Sequence, residues 1–475
     1  MLKREFDPQA EPYLLLPIEI KVREFQGKVL LSCFAAEVGF SVVIADQNEM
    51  HRYLNYLPRG IYIDKSIVRT KIKGFQKNRK IGNRVGAWCE EGLVFQDPDT
   101  YLRERVSSDA YELVDIFFAW GKIQAQTIKS KINENHNKII CTGNPRFDLL
   151  RHPFRGIFSS EAEALRERFG DFILINTNFS IYNHFYGRDF FIENLKKAGR
   201  IKDAEHEAFI VRWRDYVGDM YHHFGKMVLH LSKAFPKHRI IVRPHPAENQ
   251  ETWREETEDL HNVEVIHEGN VIPWIMASQI MIYNSCTTGV EGYVLDEPVV
   301  CYCPITSEIF DSRLPNGVSS KAYSPHELVA LIEQVLGDPE GYVHREHGNA
   351  NANNLIEDHI VSVKGPTACE NIVSELQGMV KRDSLLSYQI PVSPYEKMRR
   401  RMNVYAMSAK RMTRRLMKGS SGGEAYYKQK FSGLMLEEIE QVIEAFKQVT
   451  GRFQGVEARP YPGAASCFLI SQKKN

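Results

Sequence analysis

The sequence predicts an α/β fold: two Rossmann-like domains facing a cleft, followed by a C-terminal helical appendage. Two observations carry this. Short apolar runs without polar alternation recur between helical stretches from Tyr13 to Tyr302, which is the pattern of parallel strands buried on both faces. Beyond about Gly365 the pattern turns helical and basic. At 475 residues the chain also exceeds what one hydrophobic core usually organises, so more than one domain is expected.

The run YLLLPI at 13–18 is the first buried strand, 27–38 is a helix stopped by Gly39, and SVVIA at 41–45 is the next strand, a βαβ start. Apolar runs near 84–89, 116–119 and 138–142 complete a first domain over residues 12–158, expected to receive the acceptor. A charged helical stretch at 159–170 suits a hinge. FILIN at 172–176 opens a second domain over 171–365, with a helix at about 215–234 and strands at 239–243, 263–266, 280–283 and 299–302. Residues 366–475 read as a basic helical appendage: a helix at 395–418, a Gly-Ser-Ser-Gly-Gly linker at 419–423 and an amphipathic helix at 434–449.

Composition excludes several classes. Apolar residues at 43% and charged residues at 25% are the balance of a globular protein and not of a disordered chain. With 61 basic against 60 acidic residues, no overall field steers the chain onto nucleic acid, and nucleic acid is not expected as a partner. Five of the eight cysteines (Cys33, Cys141, Cys286, Cys301, Cys303) lie in or beside apolar runs, and none forms a CxxC pair with metal spacing, which favours thiols in a reducing cytosol. The apolar run near the N-terminus is short and interrupted by Pro17 and Glu19, and no run of eighteen apolar residues occurs, so neither a signal segment nor a membrane span is expected.

Three polar motifs carry the chemistry. Arg243-Pro244-His245-Pro246 ends an apolar strand, so His245 emerges at a strand end with its backbone fixed by prolines. An imidazole held there can donate to a phosphate and protonate it as it leaves; the same residues also suit a turn histidine on a backbone carbonyl. Ser285-Cys286-Thr287-Thr288-Gly289 follows the strand IMIY and precedes a helical run, which suits a phosphate held on a helix N-terminus and equally an ordinary Ser or Thr cap. Glu291 suits ribose hydroxyls or a capping box. Glu90-Glu91-Gly92 offers two carboxylates that repel and so raise one pKa toward the range of a general base, with Gly92 expected to allow a sharp turn.

Gly143-Asn144-Pro145-Arg146-Phe147-Asp148 presents Arg146 and Asp148 either to an acidic sugar or to each other as a hinge ion pair. Asn176 lines the ligand edge or caps a loop, and Glu19 and Arg23 follow the first strand on the acceptor side. Asp97-Pro98-Asp99 has the spacing of a metal-binding DxD, but turn propensity alone accounts for it, and no metal is expected. Residues 397–418 carry nine Lys or Arg and no acid, with Met398, Met402, Tyr405, Ala409, Met412 and Leu416 at helical spacing. Such a helix suits an anionic membrane surface, or a solvated basic face on the domains.

With these motifs in place the chain resembles the bacterial surface carbohydrate biosynthesis proteins. The resemblance runs from about Tyr13 to Glu375 and includes PIEIKVRE at 17–24, LPRGIY at 57–62, EEG at 90–92 and GNPRFD at 143–148. More distantly the chain resembles GT-B transferases that use CMP-activated acidic sugars, the Kdo and bacterial sialyl- and polysialyltransferases. That likeness implies a GT-B-like fold, a base or nucleophile at Glu90 or Glu91, a phosphate contact at His245, and phosphate-holding hydroxyls at Thr287 with Thr288, the hydroxyl motif here departing from the usual pair. It also implies a nucleotide-sugar donor, a glycan acceptor that can be lipid-linked, no cofactor, and a cytoplasmic site of action at the inner membrane. The expected function is transfer of a Kdo-like sugar from CMP in lipopolysaccharide or capsule synthesis. The alternatives are CDP-glycerol glycerophosphotransfer, which the same Gly-x-Pro-Arg-x-Asp and Arg-x-His-Pro signatures resemble, and a non-catalytic scaffold of the pathway.

Overall fold

A computed structural model describes residues 11–95, 97–383, 386, 398, 402, 433–462, 464 and 466–473. The chain divides into two compact units, one of residues 1–93, 98–157 and 357–475, the other of 94–97 and 158–356. Each is a Rossmann-like α/β body built on its own sheet around a set of parallel strands.

In the first unit β1 (Tyr13–Ile18), β2 (Ser41–Asp46), β3 (Ile61–Asp64), β4 (Arg84–Ala87), β5 (Ile116–Ala119) and β6 (Ile139–Cys141) run parallel in the order β2-β1-β3-β4-β5-β6. Leu14, Leu15 and Leu16 of β1 and Val42, Val43 and Ile44 of β2 are all fully buried, which explains why these strands show no polar alternation. Each such side chain removed from water contributes about 1.5–3 kcal/mol before entropy is counted. The helix Lys21–Glu37 begins six residues earlier than its sequence pattern suggests, because the carboxylate of Glu24 accepts the Glu19 and Ile20 N–H groups at 3.2 and 3.0 Å and so opens it.

The second unit holds β7 (Phe172–Asn176), β8 (Arg239–Arg243), β9 (Val263–Val265), β10 (Ile280–Tyr283), β11 (Val299–Tyr302) and β12 (Lys321–Ala322), all parallel, in the order β12-β11-β10-β7-β8-β9. Its core joins Ile173, Ile175, Ile240 and Val242 of the central strands to Phe224, Met227, Val228 and Leu231 of the long helix Ala204–Ala234. That helix starts at an Asp203 cap well before the expected position.

The C-terminal part is helical as expected, at Ala368–Arg382 and Leu436–Thr450, and carries two strands besides. After the helix Leu436–Thr450, β13 (Val456–Pro460) and β14 (Cys467–Gln472) form an antiparallel hairpin, and β14 pairs antiparallel with β2, extending the first sheet to eight strands. The hairpin covers the β2 edge, which would otherwise offer unpaired backbone groups. The linker at 419–423 and, apart from Met398 and Met402, the basic segment 397–418 lie outside the described residues. Among the described residues no helix is long and apolar enough to cross a membrane.

Candidate functional site

In the second sheet the chain leaves β7 in two directions, through β8 and β9 on one side and β10, β11 and β12 on the other. The carboxyl end of β7 is therefore a topological switch point, where loops diverge and open α/β sheets bind ligands. Three segments singled out in the sequence meet this edge: Asn176 closes β7, Arg243-Pro244-His245 closes β8, and Ser285 to Gly289 follow β10.

The Ala247 N–H donates to Nδ1 of His245 at 3.2 Å. A ring nitrogen that accepts carries no proton, so the neutral imidazole holds its proton on Nε2, the form that donates to an anion. Nδ1 is thus not spent on a carbonyl. Arg243 is only 8% exposed; one Nη donates to the carbonyls of Glu268 and Gly269 at 3.2 and 2.9 Å. Burial brings its pKa down to about 10, against the opposing pull of Glu291 and Cys286.

The Thr287–Val294 helix separates two readings the sequence left open. Its cap residue is Cys286, which makes no side-chain cap hydrogen bond, so neither Ser285 nor a threonine serves as the cap. Thr287 and Thr288 stand in the first turn, and Glu291 lies two residues past the capping-box position, buried. Ser285 has a left-handed backbone at φ 45°, an arrangement that costs a residue with a side chain about 1–3 kcal/mol. Asn316 secures it: its Oδ1 accepts the Ser285 N–H at 2.7 Å and its Nδ2 donates to the Ser285 Oγ at 3.0 Å. The Ser285 hydroxyl also accepts the Ser312 N–H at 3.3 Å, so it is committed inside the unit. Gly289 is required by space, since a Cβ there would stand 2.0 Å from the Tyr283 ring.

The buried polar atoms at this edge with no hydrogen-bond partner among the described residues include Oδ1 of Asn176, Nε of Arg243 and Oγ1 of Thr288. One comes from each of the three segments. A buried polar group left so costs about 1–3 kcal/mol, which a polar ligand can recover.

The first unit has its own switch point at β1, which lies between β2 and β3. Glu19 follows β1, Lys65 follows β3, and Glu90 and Glu91 follow β4. Lys65 pairs with Glu19 at 3.1 Å and lies 3.7 Å from Glu24; Lys28 pairs with Glu24 at 2.7 Å and stands 5.6 Å from the centre of the Trp88 ring. The Trp88 Nε1–H donates to Oε1 of Glu90 at 2.7 Å.

These contacts split the acidic pair. Glu90 is 7% exposed, and burial together with the Glu24 charge raises its pKa against the pull of Lys28, Arg146 and Trp88. Burial also raises Glu91, but Arg23, Arg105 and Arg146 outweigh it and hold its pKa below the ordinary value. Glu91 forms an ion pair with Arg23. Glu19 and Arg23, expected to face an acceptor, are both engaged in ion pairs. Gly92 closes a tight turn, its N–H donating to the Cys89 carbonyl at 3.0 Å, without a positive φ; a Cβ there would stand 1.8 Å from Nε2 of Gln124.

The sequence leaves Asp148 between a sugar contact and a hinge ion pair with Arg146, and the structure shows it in a further role. Asp148 is fully buried, and its two oxygens accept the N–H groups of Ala368 and Cys369, each at 2.8 Å, at the start of the Ala368–Arg382 helix. Asp148→Ala is expected to destabilise the first unit by about 1–3 kcal/mol for each amide left without an acceptor, read from urea denaturation, with Asp148→Asn losing less.

No protein-family model matches the chain, and no curated protein matches it in sequence. Solved structures do. The chain is similar to a UDP-GlcNAc 2-epimerase from Neisseria meningitidis bound to UDP-GlcNAc, at 15% identity over 77% of this chain and 99% of that one, TM-score 0.46. It is similar to a UDP-GlcNAc 2-epimerase from Methanocaldococcus jannaschii in complex with UDP-GlcNAc and UDP, at 12% identity over 77% and 99%, TM-score 0.43. It is also similar to a variant of the wall teichoic acid polymerase TagF, at 11% identity over 78% and 90%, TM-score 0.47.

Sequence reasoning missed Lys65, Trp88, Glu248 and Asn316, which hold the candidate residues in place. Only the position of Glu248, three residues past His245, hinted at a role.

Proposed function

We propose that the chain is a metal-independent glycosyltransferase of surface polysaccharide synthesis that moves a Kdo-like acidic sugar from a CMP donor to a glycan acceptor. The observation that best supports this is the switch point of the second unit, where the segments closing or following three strands each contribute a buried polar atom without a hydrogen-bond partner among the described residues. A single phosphate suits that edge: the His245 Nε2–H donates to it, Arg243 supplies positive charge, and the first turn of the Thr287–Val294 helix favours an anion. In the transfer, the bond from the anomeric carbon to the phosphate oxygen breaks and CMP leaves with the electron pair. The acceptor hydroxyl bonds to that carbon and gives its proton to the carboxylate of Glu90. We further propose that the enzyme acts at the cytoplasmic face of the membrane, with residues 397–418 as the segment that touches anionic lipid.

The test is to incubate the full chain with CMP-Kdo, CMP-sialic acid, CDP-glycerol and UDP-GlcNAc in turn, each with glycan acceptors, and to follow nucleotide release above an enzyme-free blank. Release from CMP-Kdo or CMP-sialic acid is the expected result. Release confined to CDP-glycerol overturns it in favour of glycerophosphotransfer. Failure to bind any cytidine nucleotide by calorimetry favours a scaffold.

A further inference from the structure

We propose that Glu248 is the positioning residue of the nucleotide edge, a buried carboxylate that ties the loops after β7 and β8 together and fixes the His245 ring with its proton on Nε2. This rests on the reading of His245 as the phosphate contact. Glu248 is 1% exposed and receives donors from three stretches of chain. Its Oε1 accepts the Thr177 hydroxyl at 2.8 Å, the Phe179 N–H at 3.0 Å and the His245 N–H at 3.1 Å; its Oε2 accepts the Trp253 Nε1–H at 3.0 Å. Thr177 and Phe179 follow β7, and His245 follows β8.

Every group facing this side chain is a donor, which calls for two oxygens and no N–H. A glutamine in its place turns an NH2 toward at least one donor. The same turn closes twice more on His245: the Glu248 N–H donates to the His245 carbonyl at 2.8 Å, and the Ala247 N–H to Nδ1 at 3.2 Å. The bond to Nδ1 decides the tautomer, and it exists only while the turn is closed. A strap from the β7 side reinforces it, through Phe185 N–H to the Ala247 carbonyl and Asn249 N–H to the Asn183 carbonyl, both 2.9 Å. Trp253 is fully buried, 4.7 Å from Tyr221 and 6.2 Å from Phe179 between ring centres, so the anchor at Oε2 is rigid.

The variants are E248Q, W253F and the double E248Q/W253F, with H245A used to assign the His245 signals in 15N-histidine spectra recorded at a pH where the ring is neutral. The wild type and W253F are expected to show the Nε2–H tautomer, E248Q a mixture, and the double variant recovery, because phenylalanine presents no N–H to the new amide. With whichever donor the wild type turns over, E248Q is expected to lower kcat by on the order of ten- to a hundredfold with a smaller change in KM, as for groups that orient ligating histidines, and the double variant to regain most of it. A His245 ring that keeps its tautomer in E248Q, or loses it equally in the double variant, overturns the proposal. Where E248Q does not fold, the folded double variant decides by the same readout. If H245A retains full turnover, the phosphate role of His245 fails, while the spectra still judge Glu248.

Discussion

Glu90→Gln is expected to lower turnover by on the order of 10²–10⁴, the span usually lost with a general base. Glu91→Gln removes an ion pair with Arg23 and is expected to cost far less. The two glutamates are adjacent, yet their surroundings differ: Glu90 is pressed against Trp88 and beside the Glu24–Lys28 pair, while Glu91 is ringed by arginines. Because burial raises the Glu90 pKa, the rate is expected to rise with pH through a value above that of an ordinary glutamate, and this limb should vanish in the glutamine variant. Stability runs the other way. The folded chain holds this proton more tightly than the unfolded chain, so the contribution is full below the unfolded pKa and is lost as pH rises through the raised folded one. Glu90→Gln should therefore melt no lower than the wild type at pH above the raised Glu90 pKa, by calorimetry, while nearly inactive. A variant both inactive and unfolded would assign Glu90 to the scaffold instead.

His245→Ala is expected to cost on the order of 10²–10³ in turnover, the loss seen when one preorganised donor to a developing oxyanion is removed. Its fold should survive, because Glu248 still draws the two loops together through Thr177, Phe179 and Trp253. Turnover and CMP affinity measured on the same sample separate the two contributions. A large loss of kcat with nearly unchanged CMP binding is expected if the Nε2–H acts chiefly on the departing phosphate.

The strands were the most legible part of the chain. β1, β5, β7, β8, β10 and β11 coincide with apolar runs, because a strand buried on both faces has nowhere to place a polar residue. β3 escaped notice because Ile61–Asp64 is four residues long, follows Pro58-Arg59-Gly60 and ends in an acid. β14 escaped because its partner β2 lies more than four hundred positions away, and β13 pairs with β14 in turn. Of the candidate site, the residues at strand ends were readable from position alone. Their supports were not. Glu248, Lys65 and Asn316 belong to residue types usually solvated, and only the assembled unit shows them turned inward onto His245, Glu24 and Ser285.

The hairpin at the β2 edge also sets an order of events during synthesis. The second unit has all its residues once Ile356 has left the ribosome, whereas the first still waits for Cys467–Gln472 to reach Val42–Ala45. Until then the nascent chain carries a bare sheet edge, open to wrong partners. A message cut short before Cys467 would accordingly spoil the body that bears Glu90 and spare the one that bears His245.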